Sequence, residues 1–446
     1  MAAPGPARLL SGDPQLAQRW WERMAAAQGV GSGIAAQGAG SGGAGRWSGL
    51  GGAARGGGVL AGEAASCRVL LLLAGTETAA VPGISAAGAT PEARRRTAAA
   101  DAELLLLGPE HPLPHALPPL PAGVSPALIA RVVLEQLEIE PLVVDLGAPL
   151  APAVPHLRPG GGLACGPAAC LSSGAAMTPE RVAGLLALGR RWGQRLARLG
   201  QPVLLAECVP GGTSTAQAVL EGLGVEAAGL VSGSLREPAH GLKTQLVQRG
   251  LAAAGLMAAG LTVPGPTARG GTMPGSTATG RTQSEPLVEA VLAAVGDPMQ
   301  ALAAGLVQAA AAAELPLLLA GGSQMAAVLA LALALTPAEG RSRLLAQAAI
   351  ATTAWVAHEP GSDLVALLGR IGGRWGGEPL AYGAGLRFSG CRSPELQAYE
   401  RGYVKEGVGA GGLALLWELS GQEPAALAEA CDRACERLRR VSGARA

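Results

Sequence analysis

Five stretches of the chain combine glycines with hydroxyl or ionisable side chains at a spacing that could hold an anion or move a proton. The first is Glu207-Cys208-Val209-Pro210-Gly211-Gly212-Thr213-Ser214-Thr215. Its glycines let a ligand approach the backbone, and Thr213 to Thr215 add hydroxyls. A helix opening there would present free N–H groups at the positive end of its dipole, which makes a phosphate cradle. The Gly-Lys-Ser/Thr ending of a Walker loop is missing, and a glycine turn with a threonine cap explains the same residues structurally. In the second, Val231-Ser232-Gly233-Ser234 is followed by His240-Gly241-Leu242-Lys243. Ser234 and Lys243 could complete a phosphate site, or form an ordinary loop with a solvated lysine. The third is the run from Gly402 to Gly412, Gly-Tyr-Val-Lys-Glu-Gly-Val-Gly-Ala-Gly-Gly. A carboxylate in such a turn meets a ligand with little bulk nearby, and partial burial would raise Glu406 towards the pKa of a general base. The structural alternative is an ion pair at a helix start. The fourth couples Gly75-Thr76-Glu77-Thr78 with Pro82-Gly83-Ile84-Ser85, where Ser85 could hydrogen-bond a flat ring. The fifth is the turn Gly321-Gly322-Ser323-Gln324. The histidines, His111, His115, His156, His240 and His358, show no Ser-His-Asp or metal-ligand spacing.

These turns need strands to hold them. Residues 68–74 (RVLLLLA), 141–147, 202–206 and 316–320 read as buried strands that run into glycine turns. Helical patterns over 126–138, 179–199, 213–223, 298–313 and 325–336 lie between them. Strands alternating with helices predict a parallel sheet covered on both faces, with ligands beyond the carboxyl ends of its strands. Residues 1–66 read as a low-complexity Gly/Ala-rich extension with a short helical start at Trp20-Trp21, and 256–286 as a flexible Gly/Thr/Pro insert in the α/β domain of 67–446.

Composition narrows the function. The 446 residues carry 34 Lys and Arg against 33 Asp and Glu, so there is no basic field for nucleic acid. The stretch 301–336 is apolar, but Pro316 and Gly321-Gly322 cut it into pieces shorter than the ~20 residues of a membrane span. Seven cysteines, an odd number, fit reduced thiols in a cytoplasm better than disulfides or zinc. Only two of the 34 basic residues are lysines, Lys243 and Lys405, and asparagine is absent. Drift of that kind turns lysine into arginine, so a surviving lysine suggests that the ammonium itself is needed.

Together the segments LAGTETAAVPGISAAGATPE (73–92), AECVPGGTSTAQAVLEGLG (206–224), GLKTQLV (241–247), VGDPMQALAAGL (295–306), LLAGGSQMAAVLAL (318–331), ATTAWVAHEPGSDL (351–364) and YERGYVKEGVGAGG (399–412) resemble the nicotinate-nucleotide–dimethylbenzimidazole phosphoribosyltransferase family, in its divergent cyanobacterial and archaeal branch. The resemblance implies a three-layer Rossmann-like α/β domain with a parallel sheet, a small helical domain from terminal segments, and a homodimer. It implies transfer of the 5-phosphoribosyl group of nicotinate mononucleotide to an aromatic base such as 5,6-dimethylbenzimidazole, for the lower ligand of a cobamide. It makes Glu406 the general base and places Glu207 beside it. Gly211, Gly212 and Thr213 would surround the mononucleotide, with Lys243 and Ser234 at its phosphate. Ser85 would line the acceptor pocket, and Gly322 and Lys405 would fall in matched motifs. The pyridinium leaving group is already cationic, so no metal or cofactor is expected. The family motif G-D-H-G reads Gly75-Thr76-Glu77-Thr78 here, its D-G-F turn reads Ala320-Gly321-Gly322, and the asparagine of its first loop is Gly212. A non-catalytic nucleotide- or corrinoid-pathway binding protein on the same fold is the alternative. A dinucleotide oxidoreductase is disfavoured, because no G-x-G-x-x-G follows the first strand.

Overall fold

The computed structural model describes residues 5–29, 67–120, 122–256 and 285–443. The glycine-rich tract beyond Gly29 and most of the 256–286 insert therefore lie outside the described residues.

Seven strands form one sheet: β1 (Arg8–Ser11), β2 (Arg68–Leu73), β3 (Leu142–Asp145), β4 (Val203–Cys208), β5 (Leu317–Ala320), β6 (Ala348–Thr352) and β7 (Leu380–Gly383). Their order is β1-β7-β6-β5-β4-β2-β3, and every neighbouring pair is parallel except β1 with β7. Strand β2 is apolar on both faces because both are covered. Leu70 and Leu72 enter one core, and Val69, Leu71 and Leu73 enter the other.

The first core is closed by α4 (Pro179–Leu199), α5 (Gly212–Gly222), α6 (His240–Ala253), α7 (Glu285–Val295), α8 (Pro298–Ala312), α9 (Ser323–Leu335), α10 (Ala338–Gln347) and α12 (Leu364–Trp375). The second is closed by α1 (Pro14–Ala26), α2 (Pro91–Leu107), α3 (Ala127–Gln136), the short α11 (Ala354–Ala357), α13 (Pro394–Glu400), α14 (Ala410–Leu419) and α15 (Pro424–Gly443). The result is the expected three-layer α/β fold. The stretch read as too broken for a membrane span is α8, β5 and α9, and no described helix is long and apolar enough to cross a membrane.

Local chemistry sets the helix starts. Asp13, Thr90, Thr178 and Asp297 each precede a proline and accept a backbone N–H three residues on, from Leu16 (2.8 Å), Ala93 (3.1 Å), Arg181 (3.2 Å) and Gln300 (3.1 Å). Proline at the first helical position gives up no hydrogen bond, and each cap contributes about 1 kcal/mol. Glycine content also has a packing use. A Cβ on Gly189 of α4 would stand 2.1 Å from the Leu302 carbonyl oxygen of α8, and one on Gly305 would stand 2.4 Å from that of Leu186. These two helices touch backbone to backbone.

Residues 5–29 differ from the extension expected for them. They supply β1 and α1, with Leu9 in register with Tyr382 of β7. Trp20 stacks on the Tyr382 ring at 5.4 Å, and the Tyr382 hydroxyl donates to the Ala17 carbonyl at 2.9 Å. The physical reason is the free edge of β7, which β1 covers.

Candidate active site

The glycine-rich run near the C-terminus is a strained turn. Val404, Lys405 and Val408 have φ of 67°, 64° and 53°. Residues with a side chain rarely adopt that region, valine least of all, at a cost of about 1–3 kcal/mol each, and such strain persists only where the surroundings enforce it. They do so here. The Lys405 ammonium donates to the Leu235 carbonyl (2.7 Å) and to Glu359. The Thr353 hydroxyl donates to the Lys405 carbonyl at 2.6 Å, and the Val408 N–H to the Glu207 carbonyl at 3.0 Å. Gly411 and Gly412 let α14 begin against the strand ends: a Cβ on Gly411 would lie 2.2 Å from the Thr352 carbonyl carbon, and one on Gly412 2.2 Å from Ala320 Cβ.

The turn presents Glu406 as a half-buried carboxylate with four donors. The Thr352 hydroxyl (2.9 Å) and Thr353 N–H (2.8 Å) reach Oε2, and the N–H groups of Gly407 and Gly411 reach Oε1, both at 3.1 Å. Burial raises its pKa, and these donors pull the other way by favouring the charged form.

Glu207, at the carboxyl end of β4, lines the same cleft. It is buried and accepts two bonds, from the Val209 N–H (2.9 Å) and the Gln324 amide (2.8 Å). Burial, with the nearby Glu406 and Asp297 charges, raises it to about 8 against the pull of those two bonds. Two carboxyls on one cleft thus sit in different environments, one held by four donors and one by two.

Around them stand the glycine turns singled out in the sequence. Helices α5 and α9 both begin at the cleft wall, through Gly212-Thr213 and Gly322-Ser323. Gly211 has a φ of 83°, where a side chain would be strained and would meet the Ala79 backbone at 3.0 Å. The loop at 232–234 faces these two helix starts. Its Ser234 hydroxyl is 3.0 Å from the Ser85 hydroxyl and accepts the Ala86 N–H at 2.8 Å, and the Ser232 N–H donates to the Ser323 hydroxyl at 3.0 Å.

The cleft measures about 330 Å³, within the range of small-ligand pockets. Glu406, Glu207, Ser85, Gly211, Gly212, Thr213, Ser234, Gly322 and Lys405 all line it. Lys243 does not. It is fully buried behind the loop, with its ammonium 2.6 Å from the Ser232 carbonyl oxygen. Burial, the dominant cause, and repulsion from Lys405 lower it to about 7. The turn Gly75-Thr76-Glu77-Thr78 lies away from the cleft, where Glu77 pairs with Arg95 at 3.1 Å.

Sequence reasoning missed the apolar wall, contributed by Leu117 to Leu120, Val124, Pro126 and Val404, and missed Asp101 of α2 beside it. The proline-rich run over 117–126 looks like a connector. The signal for Asp101 is a carboxyl inside the apolar run Ala98-Ala99-Ala100-Asp101-Ala102 of α2, which is buried throughout. All seven cysteines are free, and among the described residues no group of three His, Cys, Asp or Glu is placed to hold a metal ion.

No protein-family model matches the chain. It is 50% identical over 375 residues to a UPF0284 protein of Parasynechococcus marenigrum (strain WH8102), covering 83% of this chain and 87% of that one. A UPF0284 protein of Prochlorococcus marinus (strain MIT 9313) is 48% identical over 380 residues, covering 83% and 86%. One of Gloeobacter violaceus is 44% identical over 358 residues, covering 80% and 84%. Among solved structures, the nicotinate-nucleotide-dimethylbenzimidazole phosphoribosyltransferase of Thermus thermophilus aligns with a TM-score of 0.46 at 19% identity, covering 84% of this chain and 85% of that one. A structure of CobT from the same organism aligns with a TM-score of 0.48 at 19% identity, covering 97% and 94%.

Proposed function

The chain belongs to the UPF0284 family, and from its cleft we propose that it is a phosphoribosyltransferase that moves the 5-phosphoribosyl group of nicotinate mononucleotide to a ring nitrogen of an aromatic base. One observation carries the reading: Glu406 and Glu207 line the same cleft as the α5 and α9 helix starts and the 232–234 loop. The motif resemblance names the substrates, and two helix starts and an apolar wall on one cleft support the reading. The phosphate lies on the N–H groups of the two helix starts, and the rings lie against the apolar wall.

The step needs only what these residues hold. The lone pair of the acceptor nitrogen forms a bond to the anomeric carbon, and the bond from that carbon to the pyridinium nitrogen breaks. Its electron pair stays on nicotinate, which leaves neutral at the ring. The acceptor ring becomes cationic and gives its N–H proton to Glu406. Four donors favour the charged form of Glu406, against two for Glu207, which burial raises to about 8 so that it retains its proton at neutral pH. The Thr352 hydroxyl can rotate away from Oε2 as the proton arrives. Holding both rings in line supplies much of the rate.

The test is E406Q with nicotinate mononucleotide and a panel of bases, read by mass spectrometry. Nucleotide binding persists in the variant, and nicotinate release falls by about 10²–10⁴. Unchanged release in E406Q overturns the base assignment. Tight mononucleotide binding by the wild type without nicotinate release, whatever the base, assigns the fold to binding alone.

A further inference from the structure

The mechanism leaves one carboxyl of the cleft unused. Asp101 projects from α2 into the end lined by Leu117, Val124, Pro126 and Val404, and it is 4% exposed. Its Oδ1 accepts the Ser125 hydroxyl at 2.6 Å. That hydroxyl itself accepts the Ala127 N–H at 3.1 Å, so its proton points at Asp101 and fixes the carboxyl. The second oxygen has only the Cys208 thiol, at 3.4 Å. Among the described residues no lysine, arginine or histidine pairs with it. Burial raises this carboxyl to about 6 against the pull of Ser125 and Cys208, and both of its oxygens act as acceptors. A buried carboxylate with one strong and one weak donor has acceptor capacity left over, and closing an apolar ring over it removes water without replacing the bonds. By contrast, Asp297 is as buried but accepts the Thr215 hydroxyl and the Gln300 N–H, and it does not line the cleft.

Resting on the phosphoribosyltransferase reading, we propose that Asp101 selects the acceptor: the base is an aromatic heterocycle whose edge remote from the attacking nitrogen carries an N–H donor, of the amino-substituted kind, rather than one alkylated on that edge. A site built to bond an N–H rejects an analogue lacking it far more strongly than an apolar pocket rejects an extra methyl.

The experiment offers wild-type protein nicotinate mononucleotide with 5-aminobenzimidazole, 5-methylbenzimidazole and 5-methoxybenzimidazole in competition. The three share the reacting ring, and the methoxy group donates electrons without an N–H. The amino product should exceed each of the others by about 10- to 100-fold. In D101N the amide turns its oxygen to Ser125 and leaves a donor facing the cleft, so the ratio should fall towards one. A wild-type ratio near one, or a preference shared by the methoxy base, overturns the proposal without any variant, as does a preference that survives in D101N. In all of these cases product is made, so the transferase reading stands. No product from any base overturns that reading and this one with it.

Discussion

Glu207→Gln separates the roles of the two glutamates through stability alone. Burial lifts the folded-state carboxyl from 4.5 to about 8, so between those values the folded protein holds a proton that the unfolded chain has lost. The unfolded state then binds fewer protons, and this group's contribution to stability falls as pH rises, by ~1.36 kcal/mol per pH unit, until it levels off above 8. From pH 6 to pH 9 the fall covers two of those units, about 3 kcal/mol. Glutamine keeps the shape and stays neutral throughout, and its oxygen can still accept from the Val209 N–H. Of the other raised carboxyls, Asp101, Glu221 and Glu418 titrate in both proteins and cancel in the comparison, while Glu406 and Asp297 feel the Glu207 charge and add only a smaller coupled contribution. Thermal or urea unfolding of wild type and E207Q at pH 6, 7, 8 and 9 reads the effect. The gap between them should move in favour of E207Q by about 3 kcal/mol, mostly below pH 8. Parallel profiles would mean that Glu207 is already ionised at pH 6, and the division of labour with Glu406 would be wrong.

Two further substitutions test the architecture. In G411A the added Cβ meets the Thr352 carbonyl carbon at 2.2 Å and the Thr353 nitrogen at 2.3 Å, backbone that cannot step aside. Unfolding should show a loss of about 1–3 kcal/mol, and turnover should fall because a donor to Glu406 moves; an unchanged melting temperature refutes the close approach. K243R forces a larger planar group behind the 232–234 loop, where the Lys243 ammonium lies 3.2 Å from a Cβ built on Gly233. Calorimetric titration with nicotinate mononucleotide should show weakened binding, and wild-type affinity would rule out a role for Lys243 in setting that loop.

What was legible in the sequence is the part that repeats a strong local signal. The apolar runs at β2 to β5 and the helices α4, α5, α8 and α9 fall where their patterns place them, since burial on two faces needs uninterrupted apolar residues. Strand β6, Ala348-Ala349-Ile350-Ala351-Thr352, was not legible. Three of its five residues are alanines, which favour helix, and only tertiary pairing with β5 and β7 makes it a strand. The same holds for β1 and β7, which stabilise each other as an edge pair and carry little pattern alone. At the site, the turns after β4 and β5 were readable because glycines closing an apolar run mark a strand that enters a helix start, although Gly75-Thr76-Glu77-Thr78 after β2 shows the same pattern and lies away from the cleft. The apolar wall was not readable, because Leu117 to Leu120 become a binding surface only once α2 and α3 hold them over β4.

Of the two lysines that composition singles out, Lys405 lines the cleft and Lys243 is buried behind it. Their survival in an arginine-rich composition argues that an ammonium is required, and the structure gives a reason in geometry. Lys243 has one oxygen in reach, the Ser232 carbonyl, and Lys405 has the Leu235 carbonyl and Glu359. A guanidinium carries five N–H donors in a plane and would bring most of them unpaired into sites that are 0% and 1% exposed. Both lysines grip the same short loop. Lys405 ties it to the turn that carries Glu406, and Lys243 ties it to α6. The loop cannot shift without moving either the serines that face the cleft or the backbone that aims the carboxylate. Such a lysine need touch no ligand to matter: it is enough that the serine-lined end and the Glu406 end of the cleft are braced against each other through 231–235.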